Sequence, residues 1–308
     1  MNELRIALVG FGKIAQTRHV PAMVVTPGVT LAAIADPKAV LADVQQFASL
    51  EDLLRNGPEI DAVALCTPPQ VRTAQAYIAL TAGKHVLLEK PPGATVSEIA
   101  PLLPLARNAG KTLFATWHSR FAPAVEPARA LLAARKISQV TITWKEDVKV
   151  WHPGQAWIWQ PGGFGVFDPG INALSILTRL LPPPVFVTRA DLDFPVNCAA
   201  PIAVELDMAD ATGLPIKAVF DFRQTGPQTW DIRFETDHGP LVLSSGGARL
   251  NDGEKPVVDA TKEEYPQLYR RFAELAAQGE SDVDLAPLQL VADAFLLGRR
   301  RIVEAFED

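Results

Sequence analysis

The chain has few cysteines and no strongly basic segment, and both shortages narrow the class of protein. Cys66 and Cys198 are the two cysteines in 308 residues, and two isolated thiols support neither a disulfide framework nor a cysteine-based zinc site. A reducing compartment is therefore expected. Lysine and arginine number 29 against 35 acidic residues, a formal net charge of −6. Because nucleic-acid or anionic-membrane partners need a basic footprint, we expect neither.

Long apolar runs and metal-ligand spacings are also missing. No stretch approaches the roughly 18 uninterrupted apolar residues of a membrane-spanning helix, and the apolar segment near the N-terminus is too short for a signal sequence. No HxxxH, HExxH or carboxylate cluster has the spacing of a metal site. The sequence therefore predicts a cytoplasmic protein with a small-molecule ligand and no metal.

Short apolar runs alternate with helical signals through the first part of the chain. The runs are typical of buried parallel strands and span 4–9, 29–35, 61–66, 85–88 and 113–116. Ser49 with Asp52, and Thr95 with Glu98, match the capping box that opens a helix. Since parallel neighbours need crossover connections, this alternation predicts an α/β fold with a doubly wound sheet. Pro21 is expected to bend or shorten the first helix.

A glycine turn, Gly10-Phe11-Gly12-Lys13-Ile14-Ala15, follows the first run and has the form G-x-G-x-x-A. In a Rossmann unit, Gly10 permits the tight turn, Gly12 lets the backbone approach a pyrophosphate, and Ala15 lets the helix pack on the sheet. The same pattern also occurs as a strand-to-helix turn without a ligand.

Asp36 and Lys38 lie at the end of the second run and bear on the cofactor. Asp36 can accept hydrogen bonds from the adenosine ribose, or it can start a turn before Pro37. Its carboxylate should repel a 2′-phosphate and favour NAD, whereas Lys38 could pair with that phosphate and allow NADP. We expect NAD, with NADP as the alternative.

Lys90 follows the run 85–88 within the segment Glu89-Lys90-Pro91-Pro92. Open α/β sheets bind ligands at the carboxyl ends of their strands, and the two prolines restrict the backbone around the side chain. An ordinary exposed lysine is the alternative interpretation.

These segments together resemble the Gfo/Idh/MocA oxidoreductases, the glucose-fructose oxidoreductase, inositol dehydrogenase and rhizopine-catabolism family. The resemblance extends over nearly the whole chain and includes GFGKIA, RHVPA, CTPP, AGKHV leading into EKPP, and GGFGVFDPGIN. Within the family, ATWHSRF, WKEDVKVWHPGQAWIW and GVFDPGINALSI are similar to the aldose 1-dehydrogenases that oxidise D-galactose or L-arabinose.

After about residue 118 the alternation stops, and we divide the chain into domains 1–118 and 119–308. β-rich runs predict a mostly antiparallel sheet in the second domain; they span 139–146, 185–192, 202–208, 216–222, 230–236 and 241–244. The segment 286–306 predicts a long helix, which in the family packs near the first domain. The resemblance implies an α+β second domain with one large open sheet, and a homo-oligomer, either a dimer or a tetramer.

The resemblance makes Lys90 a catalytic residue that hydrogen-bonds the reacting sugar hydroxyl. Asp168 and Asn172 are four residues apart and would share a helix face, although Asp168 could instead only stabilise the helix start. Family members usually carry a proton-accepting histidine where this chain has Asn172, and an amide cannot titrate. The proton acceptor is then Asp168 or Lys90. The cofactor would be lined by Gly10, Gly12, Lys13, Ile14, Asp36, Lys38, Thr67, Pro68, Glu89 and Lys90.

Four of the six tryptophans lie between positions 144 and 159, close to Glu146 and His152. Sugars present apolar faces and hydroxyl edges, which aromatic rings beside polar groups can bind. The alternative is that the tryptophans are core residues. We expect Asn172, His152 and Glu146 to orient hydroxyls and Trp151 or Trp230 to pack on the ring. His118 is either a further sugar ligand or structural.

The sequence therefore predicts an NAD(P)-dependent dehydrogenase that oxidises the C1 hydroxyl of a cyclic aldose to the aldonolactone. Two alternatives remain on the same scaffold. One is another sugar oxidoreductase or an NAD-dependent glycosidase, and the other is a non-catalytic sugar or dinucleotide sensor.

Overall fold

The computed structural model describes residues 3–261 and 263–307. Met1 and Asp308, where the predicted domain ranges begin and end, lie outside the described residues, as do Asn2 and Lys262. The chain forms two compact units. The first unit comprises the described residues up to His118 together with Tyr265–Asp284, and the second comprises Ser119–Glu264 and the described residues from Leu285 onward.

The strands are, in chain order, β1 (Leu4–Val9), β2 (Val29–Ala35), β3 (Gln45–Phe47), β4 (Ala62–Leu65), β5 (His85–Leu88), β6 (Leu113–Ala115), β7 (Ile137–Lys145), β8 (Val185–Pro195), β9 (Ala203–Asp210), β10 (Pro215–Asp221), β11 (Thr229–Thr236), β12 (Gly239–Ser244), β13 (Arg249–Asp252), β14 (Lys255–Asp259) and β15 (Arg299–Val303).

The α-helices are α1 (Val20–Val25), α2 (Leu50–Asn56), α3 (Pro69–Thr81), α4 (Val96–Ile99), α5 (Leu102–Asn108), α6 (Val125–Leu132), α7 (Val148–Trp151), α8 (Phe167–Leu180), α9 (Glu264–Gln278) and α10 (Ala286–Leu297). No helix in the described ranges combines the length and apolar character needed to cross a bilayer.

The first unit contains the predicted parallel sheet, with strand order β3-β2-β1-β4-β5-β6 and parallel pairing throughout. This is the doubly wound dinucleotide-binding order, whose topological switch point lies between β1 and β4. The predicted α/β fold is confirmed. The short edge strand β3 was not predicted, because its three residues, Gln45, Gln46 and Phe47, make no apolar run.

Two helices of this unit, α2 and α4, begin at the capping residues that the sequence predicts. Ser49 Oγ accepts a hydrogen bond from Asp52 N at 3.1 Å, and Thr95 Oγ1 accepts one from Glu98 N at 3.3 Å. The helix after the glycine turn is irregular ahead of Pro21. A π-helical turn at Ala15–His19 leads directly into α1, so Pro21 lies within a continuous helical segment, where it has no N–H to donate to the preceding turn.

The second unit contains a nine-stranded sheet with the order β14-β13-β12-β11-β7-β10-β9-β8-β15. The pairs β7–β10 and β8–β15 are parallel and the other pairs are antiparallel. The predicted, mostly antiparallel sheet is therefore confirmed. Helix α8 approaches this sheet closely at Gly170, where an added Cβ would lie 2.6 Å from Cδ2 of Phe220.

The prediction of one long helix over 286–306 was wrong. Helix α10 ends at Leu297, Gly298 is extended, and β15 follows as an edge strand beside β8. A Cβ on residue 298 would lie 2.6 Å from Leu192 Cδ1, so glycine allows the chain to turn close against β8. Arg299 and Arg301 then pair with Asp191 and Asp193 at 2.9 and 2.7 Å. These partners lie about a hundred positions earlier, so local periodicity could not reveal them.

Candidate active site

The turn after β1 has the backbone geometry that a dinucleotide requires. Gly10 has a φ of +85°, and a Cβ there would lie 2.9 Å from the backbone N of Thr67. Nothing lies within 4 Å of an added Cβ at Gly12, so the backbone is open on that side. Ala15 is fully buried, as close packing of helix on sheet demands. These residues fit a pyrophosphate held against main-chain N–H groups.

Asp36 ties the end of β2 to this glycine turn. Its Oδ2 accepts a hydrogen bond from Phe11 N at 2.7 Å, and its Oδ1 accepts one from Lys38 N at 2.8 Å. The turn that the sequence allowed is therefore present. Each carboxylate oxygen still has a second lone pair, which a ribose hydroxyl could use.

The other residues expected to line the cofactor follow strands of the same sheet. Lys13 is exposed and Ile14 is half-buried in the turn after β1. Lys38 is exposed after β2, and Thr67 and Pro68 follow β4. The carboxyl ends of β1, β2, β4 and β5 thus gather the predicted residues at one edge, where open α/β sheets bind ligands.

Lys90 follows β5, is half-buried, and precedes a cis peptide bond to Pro91. Arg72, a buried residue of α3, holds this segment by donating to the carbonyl oxygens of Glu89, Pro91 and Thr67. The sequence analysis missed Arg72. The available signal was a charged residue on a helix face that otherwise buries small and apolar side chains such as Ala76 and Ala79.

Glu89 is placed differently from its neighbour Lys90. Its side chain is buried, and its carboxylate accepts hydrogen bonds from the backbone N of Lys90 and from Tyr265 Oη, both inside the first unit. His118, at the end of this part of the chain, stacks on Tyr265 with ring centroids 5.2 Å apart.

The second unit brings together two carboxylates and an imidazole. His152 Nε2 lies 2.9 Å from Glu146 Oε1, and His152 Nδ1 lies 3.6 Å from Asp168 Oδ2. Gln155 Oε1 is also within 3.3 Å of Nδ1. Both carboxylates are almost completely buried. We call Glu146, His152 and Asp168 the carboxylate–imidazole group.

Asp168 lies in the first turn of α8, and Asn172 follows one turn later and is half-buried. The start of this helix is held by a close approach of the chain to Pro201. Gly165 has a φ of +52°, and a Cβ there would lie 2.2 Å from the carbonyl oxygen of Pro201. Val166 N donates to the same oxygen at 2.8 Å. Backbone packing thus sets the position of Asp168 within the unit.

The tryptophans divide between core and site. Trp144 is buried and stacks on Trp230 at 6.0 Å, as the core interpretation predicts. Trp230 also donates from Nε1 to Glu146 Oε2 at 2.8 Å, and its ring lies 4.9 Å from that of the exposed Trp151. Trp151 and Trp230 therefore form an indole pair next to the carboxylate–imidazole group.

A dinucleotide-binding sheet with an open glycine turn, in a chain whose second unit gathers acid–base groups, defines the class of nicotinamide-dependent oxidoreductases. In the part of the chain that the structure describes, no three or more His, Cys, Asp and Glu side chains are grouped to hold a metal ion.

Comparison with known proteins identifies the family. Residues 4–116 match the Gfo/Idh/MocA profile, described as an oxidoreductase family with an NAD-binding Rossmann fold. The chain is 49% identical to galactose 1-dehydrogenase of Pseudomonas fluorescens over 309 aligned residues, covering 100% of both proteins. The chain therefore belongs to the Gfo/Idh/MocA oxidoreductases, and its cofactor is a nicotinamide dinucleotide, as predicted.

Solved structures agree with this assignment. The D-galactose-1-dehydrogenase protein of Rhizobium etli superimposes with a TM-score of 0.95 at 54% identity, over 100% of this chain and 99% of that one. KijD10, a 3-ketoreductase of Actinomadura kijaniata crystallised with NADP and TDP-benzene, superimposes with a TM-score of 0.85 at 19% identity, over 98% of this chain and 100% of that one. At that identity, the second structure shows the shared fold alone.

Proposed function

We propose that this oxidoreductase is an aldose 1-dehydrogenase that acts on D-galactose or a closely similar sugar. It would oxidise the C1 hydroxyl of the cyclic aldose to the aldonolactone with NAD⁺. The observation that carries this proposal is the carboxylate–imidazole group beside the indole pair, in a chain with full-length similarity to the galactose 1-dehydrogenase of Pseudomonas fluorescens. Polar groups at the edge of an aromatic surface suit the hydroxyl edge and apolar face of a sugar.

In the proposed reaction, the C1–H bond breaks, the C1–O bond becomes a carbonyl, and the hydroxyl proton leaves. The bound nicotinamide supplies the acceptor of the hydride. We assign removal of the proton to Lys90 and Asp168, and we assign orientation of the other hydroxyls to Asn172, His152 and Glu146. Trp151 or Trp230 packs on the sugar ring. Orientation is the main contribution of the binding residues.

His118 is the remaining residue in this assignment, as a further sugar ligand. Among the cofactor residues, Asp36 supports a preference for NAD over NADP, because its carboxylate would repel a 2′-phosphate. We further propose that residues 1–118 bind the dinucleotide and that residues 119–308 bind the sugar and form a homo-oligomer. Two free cysteines support a reducing, cytoplasmic location.

The test is a substrate panel with purified protein. D-galactose, L-arabinose, D-fucose and D-glucose are each supplied with NAD⁺ and with NADP⁺, and formation of reduced cofactor is followed by its absorbance. The proposal predicts the highest kcat/KM for D-galactose or L-arabinose with NAD⁺, and the lactone as product. Absence of reduced cofactor with every aldose would refute it.

Two further measurements separate the alternatives. A chromogenic galactoside that is cleaved without net formation of reduced cofactor would indicate an NAD-dependent glycosidase. Sugar or cofactor binding by calorimetry without turnover would indicate a sensor. Light scattering measures the oligomeric state independently of both.

A further inference from the structure

Behind Lys90, the first unit buries charged and phenolic groups that the proposed reaction does not use. His19 is 0% exposed and Glu89 is 2% exposed. Tyr265 and Tyr269 of α9 contact them, and we call these four residues the His19–Glu89 cluster. Burial of an ion costs several kcal/mol unless a partner and hydrogen bonds compensate it. We therefore expect this buried cluster to have a structural or functional role.

The contacts of the cluster form a chain that ends at the backbone of Lys90. His19 Nδ1 bonds Tyr269 Oη at 2.6 Å, and His19 Nε2 lies 3.4 Å from Glu89 Oε1. The same Oε1 accepts a hydrogen bond from Tyr265 Oη. The second oxygen of Glu89, Oε2, accepts the backbone N–H of Lys90.

The charges in the cluster support each other. Burial opposes the charged form of His19, but Cys66 and Glu89 outweigh it and raise the pKa of His19 to about 10. Burial also opposes the charged form of Glu89, but the His19 ring 3.4 Å away and the nearby charges of His118 and Lys90 lower the pKa of Glu89 to about 2. The titratable groups facing this pair are Cys66 after β4, Lys90 and His118 after β5 and β6, and Tyr265 and Tyr269 on α9.

An ionised acceptor holds a backbone N–H more firmly than a neutral one. The carboxylate of Glu89 accepts the backbone N–H of Lys90, and the guanidinium of Arg72 donates to the carbonyl oxygen of the next residue, Pro91. The main chain that carries the Lys90 side chain is therefore fixed from the interior by charged groups. The Glu89 side chain is buried and both its oxygens bond inside the unit, which supports a role for Glu89 in holding Lys90.

We propose that His19 is a positioning residue for Lys90, which it serves by compensating the Glu89 carboxylate that holds the Lys90 backbone N–H. The proposal rests on the proposed function only in that Lys90 acts on the sugar. It assigns a role to α9 as well, because Tyr265 and Tyr269 complete the hydrogen bonds of the pair.

The test compares His19→Gln with the matched control His85→Gln. His85 lies at the opposite end of β5 from Lys90 and is partly buried, whereas His19 is fully buried. His19→Gln is expected to lower kcat about 10- to 100-fold, with KM for NAD⁺ changed less than kcat. This factor corresponds to about 1.5–3 kcal/mol, the contribution of a charge-assisted hydrogen bond such as that between Glu89 and the Lys90 N–H. Without its partner, Glu89 protonates more readily, so the kcat of His19→Gln should fall further as pH is lowered. His85→Gln should keep the kcat and pH profile of the wild type.

A double-mutant cycle shows whether His19 acts through Glu89. If it does, His19→Gln combined with Glu89→Gln loses no more kcat than Glu89→Gln alone. Additive losses, or a wild-type pH profile in His19→Gln, would overturn the proposal. If His19→Gln does not fold, Tyr269→Phe removes one hydrogen bond to His19 and should lower kcat about 2- to 5-fold in the same direction.

Hydrogen exchange provides a measurement that does not depend on turnover. Lys90 is followed by Pro91 and Pro92, which have no amide hydrogen. Exchange of the Lys90 amide can therefore be resolved in a peptide that covers this segment. The proposal expects at least about 10-fold faster exchange in His19→Gln and no change in His85→Gln. Unchanged exchange at Lys90 in His19→Gln would overturn the positioning role. If exchange is faster in His19→Gln but the wild type is inactive on every aldose, only the proposed function is refuted.

Discussion

Nε2 of His152 lies 2.9 Å from Oε1 of Glu146, and this contact turns the other ring nitrogen toward Asp168 at 3.6 Å. Position 172, where the resemblance to the family implies a proton-accepting histidine, is Asn. An imidazole nevertheless stands beside Asp168, because the segment after β7 supplies one. The carboxylate–imidazole group thus places an imidazole next to Asp168, which we assign together with Lys90 to removal of the proton.

Replacing His152 by Asn should weaken sugar turnover without affecting the cofactor. The change removes a hydrogen bond to a charged group, worth about 1.5–3 kcal/mol, so kcat/KM for the sugar should fall about 10- to 100-fold. Steady-state kinetics at saturating NAD⁺ measure this. His238→Asn is the control, since His238 is exposed and pairs with Asp237 in the turn between β11 and β12. An equal loss in both variants would exclude a specific role for His152.

Asp168→Asn should strongly reduce catalytic turnover while leaving the fold intact. Loss of a general base lowers kcat about 100- to 10,000-fold, while the affinity for reduced cofactor, measured by fluorescence titration, should remain that of the wild type. Asp147→Asn is the matched control, because Asp147 caps α7 and asparagine caps a helix equally well. A kcat for Asp168→Asn within a few-fold of wild type contradicts the assignment.

Gly10→Ala should be more harmful than Gly28→Ala, although both glycines have positive φ, of +85° and +77°. Both variants should lose about 1–2 kcal/mol from the left-handed backbone. Only at position 10 does the Cβ meet a neighbour, Thr67, so Gly10→Ala loses a further 1–3 kcal/mol, roughly the cost of overpacking. Thermal melting with and without NAD⁺ checks the order. Equal melting temperatures would show that the contact with Thr67 is easily relieved.

His85 should make the protein less stable in acid. Burial and the nearby Lys111 lower the pKa of His85 to about 4 from 6.5, against the opposing effect of Asp61. Between pH 6.5 and 4 the unfolded chain therefore binds a proton at His85 that the folded chain does not bind. The free energy of unfolding is at its full value above pH 6.5 and decreases as pH falls toward 4. Urea unfolding across this interval should show a smaller pH dependence in His85→Gln than in the wild type. Equal pH dependence of unfolding in the wild type and in His85→Gln would contradict this assignment.

Much of the first unit was predictable because its signals are local. The bounds of β1, β2 and β5 agree with their apolar runs, and Ser49 and Thr95 cap the helices that their capping boxes predict. Each signal needs only a few consecutive residues, in which a strand, a turn or a cap is decided by backbone preference and hydrophobic pattern.

The candidate site was predicted residue by residue, but its internal arrangement was not. The sequence alone singled out Glu146, His152 and Asp168, without showing that the imidazole lies between the two carboxylates. Arg72 has a weak signal on the buried face of α3, but the carbonyl oxygens that it contacts lie in three separate segments, which the sequence does not connect.

The sequence by itself determined the dinucleotide fold and the family, since the glycine turn, the strand runs and the segments that resemble the family are each contiguous. Tertiary structure alone decided which distant residues became partners. Tyr269 reaches His19 across 250 positions, and Arg299 leaves the expected helix to pair with Asp191, 108 positions earlier. Such contacts depend on how sheets and helices pack, and no local preference or periodicity encodes the distance between segments so far apart in the chain.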